Sequence, residues 1–249
     1  MANSELIMEP IFYFFAILPV VSFLYSSVGH GGASGYLALM ALFSFPNEIM
    51  KQTALILNLF VAGISFYQYY KAGHFKFKLF VWFAVGSIPA AYLGGVFNID
   101  PNLYKKILGL LLLVAVARML YKPSSSEAVK NVSPYQAILI GGLIGFFSGL
   151  IGIGGGIILT PVLLLLHWSS MKEAATISAL FIWVNSSAAL IGQFSSGVAF
   201  STSILPMIIL ALAGGLMGSY YGSKKWNNQK LEYLLVVVLA AASFKLLLI

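Results

Sequence analysis

Two apolar stretches of this chain are too long to cross a membrane once, and each carries clustered glycines near its middle. They cover residues 10–45 and 135–168. At about 1.5 Å per residue, a continuous helix over either stretch would be roughly 50 Å long, whereas the hydrocarbon core of a bilayer is about 30 Å thick. Glycine costs roughly 1 kcal/mol relative to alanine inside a helix, so a cluster favours a break. Each stretch is therefore predicted to be a broken helical hairpin.

The two glycine clusters are related in sequence. The second reads Gly-Ile-Gly-Gly-Gly over residues 152–156, and a fainter copy, Gly-His-Gly-Gly over residues 29–32, lies about 123 positions earlier. Backbone N–H and C=O groups that leave a helix cost several kcal/mol each in hydrocarbon unless protein or water shields them. Both breaks are therefore expected to be enclosed by protein or to line a wet cavity that suits a small ligand.

The composition is that of a membrane protein. Hydrophobic residues make up 60% of the chain and charged residues 8%, whereas about 25% of the residues of a soluble domain are charged. Further spans of about 20 residues are expected, and they fall near 55–70, 79–97, 103–121, 174–194, 203–222 and 231–249. The predicted fold class is an all-α polytopic membrane protein, with the lipid bilayer as its surroundings.

Charge and residue usage exclude several other classes of function. A net charge of +7 would suggest a nucleic-acid partner in a soluble chain, but basic residues that flank apolar segments follow the positive-inside rule, so no nucleic acid is expected. With no cysteine and three scattered histidines, neither a metal site nor a cofactor is expected. No Ser/His/Asp set or pair of carboxylates is recognisable, so no catalytic residue is predicted and the chain is not expected to be an enzyme.

The chain divides near its middle into two halves of the same design. The predicted boundaries are 1–121 for the first transmembrane repeat, 122–133 for a linker and 134–249 for the second transmembrane repeat. Each half reads as a broken helical hairpin followed by three transmembrane helices, and the offset that aligns the hairpins also aligns Thr53 with Thr176. The evidence for this internal repeat is the order of the elements more than the identity of individual residues.

The basic residues indicate how the two halves are oriented. If each break turns the chain back, the second half is inverted relative to the first. One face then holds ten basic residues and the other four, whereas parallel halves would leave seven on each face. The larger set is Lys71, Lys76, Lys78, Arg118, Lys122, Lys130, Lys172, Lys224, Lys225 and Lys230, and the smaller is Lys51, Lys105, Lys106 and Lys245. The positive-inside rule therefore predicts two inverted repeats with both termini outside the cytoplasm.

The breaks and the distribution of charge together predict a site for a small anion. A helix that starts in mid-membrane presents unpaired N–H groups and the positive end of its dipole. The seven acidic residues fall at segment ends or in loops, so the polar groups inside the spans are neutral. The predicted substrate-binding residues are Ser26, Ser27, Gly29, His30, Gly31, Gly32, Thr53, Asn58, Gly152, Gly154, Gly155, Gly156, Thr176 and Asn185.

The histidine, glycine, asparagine and threonine candidates also have a structural explanation, and the sequence leaves both explanations open for them. The His30 imidazole would pair with an anion and carry a proton, or it would cap backbone carbonyls. The clustered glycines would line the substrate, whereas the spaced glycines, such as Gly141 and Gly145, suit close helix packing. Asn58 and Asn185 would bind substrate or form hydrogen bonds between helices. The two threonines would bind substrate or bond to their own helices.

Three motifs carry a family resemblance. They are the run Gly-Ile-Gly-Gly-Gly-Ile-Ile-Leu-Thr-Pro at 152–161, its weaker copy at 29–35 and the run Thr-Ile-Ser-Ala-Leu-Phe that starts at Thr176. With the two-half layout, they resemble the sulfite exporter TauE/SafE family of membrane permeases, of the 4-toluene sulfonate uptake permease type, over nearly the whole chain. The resemblance implies transport of small sulfur-containing oxyanions, such as sulfite and organosulfonates, across the bacterial cytoplasmic (inner) membrane.

The resulting functional prediction is a secondary transporter that moves a small sulfur-containing oxyanion by alternating access at a midplane site. An anion channel for small oxyanions is the alternative, because it would use the same helix ends but would pass a current that scales with voltage. Assembly into a homo-oligomer is open in either case.

Overall fold

The computed structural model describes residues 2–120, 130, 132–197, 204–224 and 229–248. Its ten helices are α1 (Ala2–Ser27), α2 (Ala33–Leu42), α3 (Asn47–Lys71), α4 (Phe77–Val96), α5 (Pro101–Leu120), α6 (Pro134–Ile151), α7 (Gly156–Leu165), α8 (Met171–Ser195), α9 (Leu205–Lys224) and α10 (Gln229–Leu248). The predicted all-α fold is therefore confirmed. Most of the predicted linker at 122–133 lies outside the described residues, and the proposed division of the chain into three parts stays a prediction.

Both predicted hairpins are present, and each is interrupted at its glycines. Residues 28–32 separate α1 from α2, and residues 152–155 separate α6 from α7. The residues directly before the second arms, Gly32 and Gly155, have φ angles of 97° and 81°, a conformation that side chains with a Cβ rarely adopt. The second arms have ten residues each, so each is about 15 Å long and reaches roughly halfway across a bilayer.

Five of the described helices are long and apolar enough to cross a membrane: α3, α4, α6, α8 and α9. Large apolar side chains cover their outward faces, as a lipid-facing surface requires. On α6 these side chains form one stripe at four-residue spacing, with exposures of 42–74%: Tyr135, Leu139, Leu143 and Phe147. The prediction of a multi-pass membrane protein is confirmed.

Stripes of glycine let two pairs of helices pack backbone to backbone. On α6, a Cβ at any of three glycines would collide with a carbonyl oxygen of α4, and on α9 the same holds against α1. The α6 contacts are Gly141 with Phe83, Gly145 with Ser87 and Gly149 with Ala91. The α9 contacts are Gly214 with Pro19, Gly218 with Phe23 and Gly222 with Ser27. Close helix packing therefore explains the spaced glycines.

The helix pairings of the two halves mirror each other. The pair α4–α6 corresponds to the pair α9–α1, and the pair α4–α8 corresponds to the pair α9–α3. Two further pairs, α3–α8 and α5–α10, each join corresponding helices of the two halves. A two-fold relation between α1–α5 and α6–α10 accounts for all of these pairings.

The corresponding helices α3 and α8 run in opposite directions. Asn58 of α3 meets Ser186 of α8, whereas Gly63, further along α3, meets Trp183, which lies earlier in α8. Opposite directions are what an inverted repeat predicts for these two helices. The inverted arrangement stays a prediction, and the running directions of α3 and α8 support it.

Candidate functional site

The two breaks lie against each other beside the middle of the α3–α8 pair. A Cβ on Gly31, in the first break, would lie 2.5 Å from Asn58 Oδ1 and 2.9 Å from Ile182 Cγ2. A Cβ on Gly154, in the second break, would lie 2.5 Å from Asn58 Nδ2 and 2.9 Å from the same Ile182 methyl group. Gly31 and Gly154 correspond in the sequence repeat, so equivalent points of the two hairpins share the same two neighbours.

Asn58 joins the two breaks through its side chain. Its Oδ1 accepts a hydrogen bond of 3.1 Å from the N–H of Ala33, the first residue of α2. Its Nδ2 donates to the Ile153 carbonyl of the second break at 3.3 Å and to Ser186 Oγ of α8 at 3.2 Å. The side chain is fully buried, so the expected hydrogen bond between helices is present. A substrate-binding role for Asn58 stays a prediction.

The second break contains a run of backbone amides without acceptors. The amides on either side are bonded: Gly152 and Ile153 donate to the Ser148 carbonyl, and Ile158 and Leu159 donate to the Gly155 carbonyl. Among the described residues, no acceptor is found for the four N–H groups at 154–157, although all four residues are buried. These amides form the positive end of α7, so the backbone alone makes the second break electropositive.

The first break is bonded differently. The amides of Gly29 and His30 donate to carbonyls of α1 at 3.0 Å each. In the next run, at 31–35, the Ala33 amide donates to Asn58 Oδ1 and divides the amides for which no acceptor is found among the described residues into two short pairs, 31–32 and 34–35. The first break thus contains an acceptor that belongs to the protein, whereas the second break meets the Nδ2 donor of the same side chain.

His30 connects the first break to the second hairpin. It is buried, and its Nδ1 lies 3.1 Å from the Val28 carbonyl, so Nδ1 donates because a carbonyl only accepts. Its Nε2 lies 3.1 Å from Thr160 Oγ1 on α7, and Thr160 Oγ1 lies 2.8 Å from Ser178 Oγ on α8. Sequence reasoning grouped Thr160 and Ser178 with the many neutral polar residues of the spans, and only the structure brings them to His30.

Four other predicted side chains form hydrogen bonds within their own helices. Ser26 and Ser27 donate to carbonyls three residues earlier, and Thr176 and Asn185 donate to carbonyls four residues earlier. Thr53 differs, because its buried hydroxyl has no hydrogen-bond partner among the described residues. Thr176 therefore matches its structural explanation, whereas Asn185 bonds to its own helix and not to a neighbouring one, and the binding role of all five residues stays a prediction.

Lys51 is a buried cation that sequence reasoning treated as a flanking residue. Its Nζ donates to the carbonyls of Gly94, Gly95 and Phe97 at 3.3–3.4 Å and so caps the C-terminal end of α4. Its Cγ would lie 3.0 Å from a Cβ on Gly152 in the second break. The predicted span at 55–70 began too late, and the earlier start of α3 places Lys51 inside the helix bundle.

The chemistry of this region is that of hydrogen-bond donors. Among the described residues, no group of three or more His, Asp or Glu side chains is placed to hold a metal ion. The two breaks offer backbone amides, hydroxyls and one imidazole, all buried between the two halves of the chain. Such a set of groups stabilises a small solute that accepts hydrogen bonds.

Comparison with known proteins gives matches over most of the chain. The family model described as "Sulfite exporter TauE/SafE" matches residues 14–246, which include both breaks. A probable membrane transporter protein of Sinorhizobium fredii is 37% identical over 233 residues, or 92% of this chain and 94% of the relative. A probable membrane transporter protein of Methanocaldococcus jannaschii is 29% identical over 206 residues, or 74% and 75% of the two chains. No solved structure matches the chain.

Proposed function

Because the chain belongs to the sulfite exporter TauE/SafE family of membrane transporters, we propose that it carries sulfite or an organosulfonate across the bacterial cytoplasmic membrane. The observation that carries this proposal is the meeting of the two breaks, where Gly31 and Gly154 share Asn58 and Ile182 as neighbours. At this meeting the N-terminal ends of α2 and α7 lie inside the bundle, as the binding site of a transporter with inverted repeats requires.

The charges around the breaks support an anionic substrate. The unpaired N–H groups and dipoles of two half-helices favour negative charge. The acidic side chains that the structure describes, Asp100 and Glu173, are bonded at the starts of helices: Asp100 Oδ1 accepts from the Asn102 amide, and Glu173 pairs with Lys76. A small oxyanion would therefore meet donors at the breaks, and both of the described carboxylates are engaged elsewhere.

The two-fold helix pairings support alternating access as the mechanism. In such a carrier the site stays near the midplane while one group of helices rocks against another and opens each face in turn. Here the hairpins α1–α2 and α6–α7 would move relative to the central pair α3–α8. Both termini lie outside the cytoplasm in this proposal, as the distribution of basic residues predicts.

Transport is tested with the purified full chain in sealed proteoliposomes. Uptake of radiolabelled sulfite should saturate with its concentration. Unlabelled sulfite or 4-toluenesulfonate inside the vesicles should accelerate this uptake, because a carrier with bound substrate reorients to the outside faster than an empty one. Empty liposomes give the background. A channel would show current that scales with voltage and no acceleration by internal anion. Absence of uptake for every sulfur oxyanion tested, or recovery of a chemically altered product, would overturn the proposal.

A further inference from the structure

We propose that the oxyanion binds to the second break alone, on the amides of residues 154–157 and the hydroxyl of Ser148, which together are termed the oxyanion seat. This inference rests on the proposed function and makes its site specific. The sequence repeat treats the two breaks as equivalent, whereas the hydrogen bonds around them do not. The first break positions Asn58 and binds no ligand.

The asymmetry follows from the chemistry of one side chain. Asn58 lies between the breaks, and a primary amide has one acceptor end and one donor end. Its backbone partners fix its orientation, since the Ala33 N–H requires an acceptor and the Ile153 carbonyl requires a donor. Oδ1 therefore takes, in the first break, the position that an anion oxygen would take. The second break receives Nδ2 and keeps its own amides unoccupied.

Four successive amides then remain without an acceptor in the second break. Residues 154–157 are buried, and no hydrogen bond of the described residues involves their N–H groups. Unsatisfied amides cost several kcal/mol each in hydrocarbon, so a run of four indicates an occupant that supplies acceptors. Gly154 and Gly155 both adopt the left-handed conformation, with φ angles of 78° and 81°, so their amides leave the hydrogen-bond ladder of α6.

The hydroxyl of Ser148 gives an independent indication of the same seat. Ser148 lies one turn before the break on α6 and is 2% exposed. Its Oγ has no hydrogen-bond partner among the described residues and lies 3.2 Å from the position of a Cβ on Gly155. The corresponding residue of the first half is Tyr25, whose Oη already accepts a hydrogen bond of 2.9 Å from Ser34. The hydroxyl without a hydrogen-bond partner therefore lies at the second break, whereas the corresponding hydroxyl of the first half is bonded.

The composition of the seat predicts the class of oxyanion that it takes. Backbone amides only donate, and three of the nearby carbonyls already accept hydrogen bonds: Ser148 O from two amides, Gly155 O from two amides and Ile153 O from Asn58. An oxyanion that carries an O–H group would leave that proton with few acceptors in a buried site, which is costly. The seat should therefore prefer fully deprotonated oxygens, as in a sulfonate, to an isosteric anion that retains a proton.

Nuclear magnetic resonance of the full chain in lipid nanodiscs separates the two breaks. With nitrogen-15-labelled glycine and methanesulfonate as the probe, the amide signals of Gly154, Gly155 and Gly156 should shift with a common saturation curve. The amides of Gly31 and Gly32 should stay near their unbound positions. Equal or larger shifts at Gly31 and Gly32 would overturn the assignment of the seat to the second break.

Binding of methanesulfonate to a serine variant tests the hydroxyl. Ser148→Ala should weaken the affinity measured by calorimetry about tenfold, because a hydrogen bond to a charged group is lost. Ser87→Ala is the matched control, since Ser87 Oγ is also buried and without a partner among the described residues but lies on α4 opposite Gly145. An unchanged affinity in Ser148→Ala, or an equal loss in Ser87→Ala, would overturn the role of Ser148.

Ligand selectivity is tested with an isosteric pair. At mildly acidic pH, methylphosphonate carries the same charge as methanesulfonate but retains one O–H, so its affinity should be at least tenfold lower. Equal affinity would overturn the selectivity that we infer. If vesicles take up sulfite while the amides at 154–156 do not respond to methanesulfonate or sulfite, the seat is wrong and the transport function stands. If uptake and binding are both absent, the proposed function fails with the seat.

Discussion

His30 Nε2 lies 3.1 Å from Thr160 Oγ1, although the two residues belong to different halves of the chain. Thr160 also contacts Ser178 Oγ at 2.8 Å, so one line of polar side chains joins the first break to α7 and α8. Under the repeat, the corresponding residues are apolar: Ile153, Leu37 and Leu55. Two features of the site therefore depart from the two-fold relation between the halves. One is this line of polar side chains, and the other is the side-chain amide of Asn58, which presents its oxygen to one break and its nitrogen to the other.

Thr160→Val removes the hydroxyl at the centre of this line and keeps the volume of the side chain. The buried Ser178 hydroxyl then loses its partner, so the free energy of unfolding should fall by about 1–3 kcal/mol. Thermal unfolding of the purified protein measures the loss. The double variant Thr160→Val/Ser178→Ala should recover part of it, because the stranded hydroxyl is gone. Wild-type stability in both variants would show that the line does not stabilise the fold.

Asn58→Ala should destabilise the protein more than any other buried asparagine variant of the described residues. The change removes three hydrogen bonds and with them the side chain that joins the two breaks. At the average of roughly 0.6 kcal/mol per hydrogen bond between membrane helices, the free energy of unfolding should fall by about 2 kcal/mol. Asn185→Ala is the control, because Asn185 is equally buried but donates one bond to its own helix. A smaller loss in Asn58→Ala than in Asn185→Ala, measured by denaturant unfolding, would contradict the bridging role.

Much of this fold follows from the spacing of glycine in an apolar chain. Clusters such as 152–156 cannot continue a helix, which predicts the hairpins, and glycines at four-residue spacing such as Gly145 predict close helix pairs. The two-half layout also follows, because both clusters recur at one offset. These features depend on local backbone conformation and on pattern, so the sequence is sufficient to predict them.

The contacts inside the site depend on tertiary packing and could not be predicted. Nothing in the sequence indicates that Asn58 rather than Asn185 faces the breaks, since both are neutral residues in corresponding helices. The burial of Lys51 was hidden because a lysine near the start of a span normally lies in the interface. The partners of His30 come from α7 and α8, and their choice depends on how the hairpins dock.

Gly145→Ala tests the backbone-to-backbone packing of α6 on α4. Its Cβ would collide with the carbonyl of Ser87, so α6 would have to move, and a loss of several kcal/mol in unfolding free energy is expected, as for overpacked cores. Gly142→Ala is the control on the same helix, because its Cβ would lie 3.6 Å from the Gly86 carbonyl, an ordinary contact. Gly142→Ala should be neutral or gain up to about 1 kcal/mol from helix propensity. Equal effects of the two changes would contradict the packing.

Single cysteines test the inverted repeat, because the natural chain has none. Ala72 and Ser196 are the residues that follow the corresponding helices α3 and α8, and both are exposed. In an inverted repeat these two ends lie on opposite faces of the membrane. A membrane-impermeant maleimide should therefore label Ser196→Cys in intact cells but label Ala72→Cys only after permeabilisation, as the positive-inside rule places Lys71 and Lys76 in the cytoplasm. Labelling of both cysteines from the same face would exclude the inverted arrangement. Labelling of Ala72→Cys alone in intact cells would keep the inversion but reverse the predicted orientation.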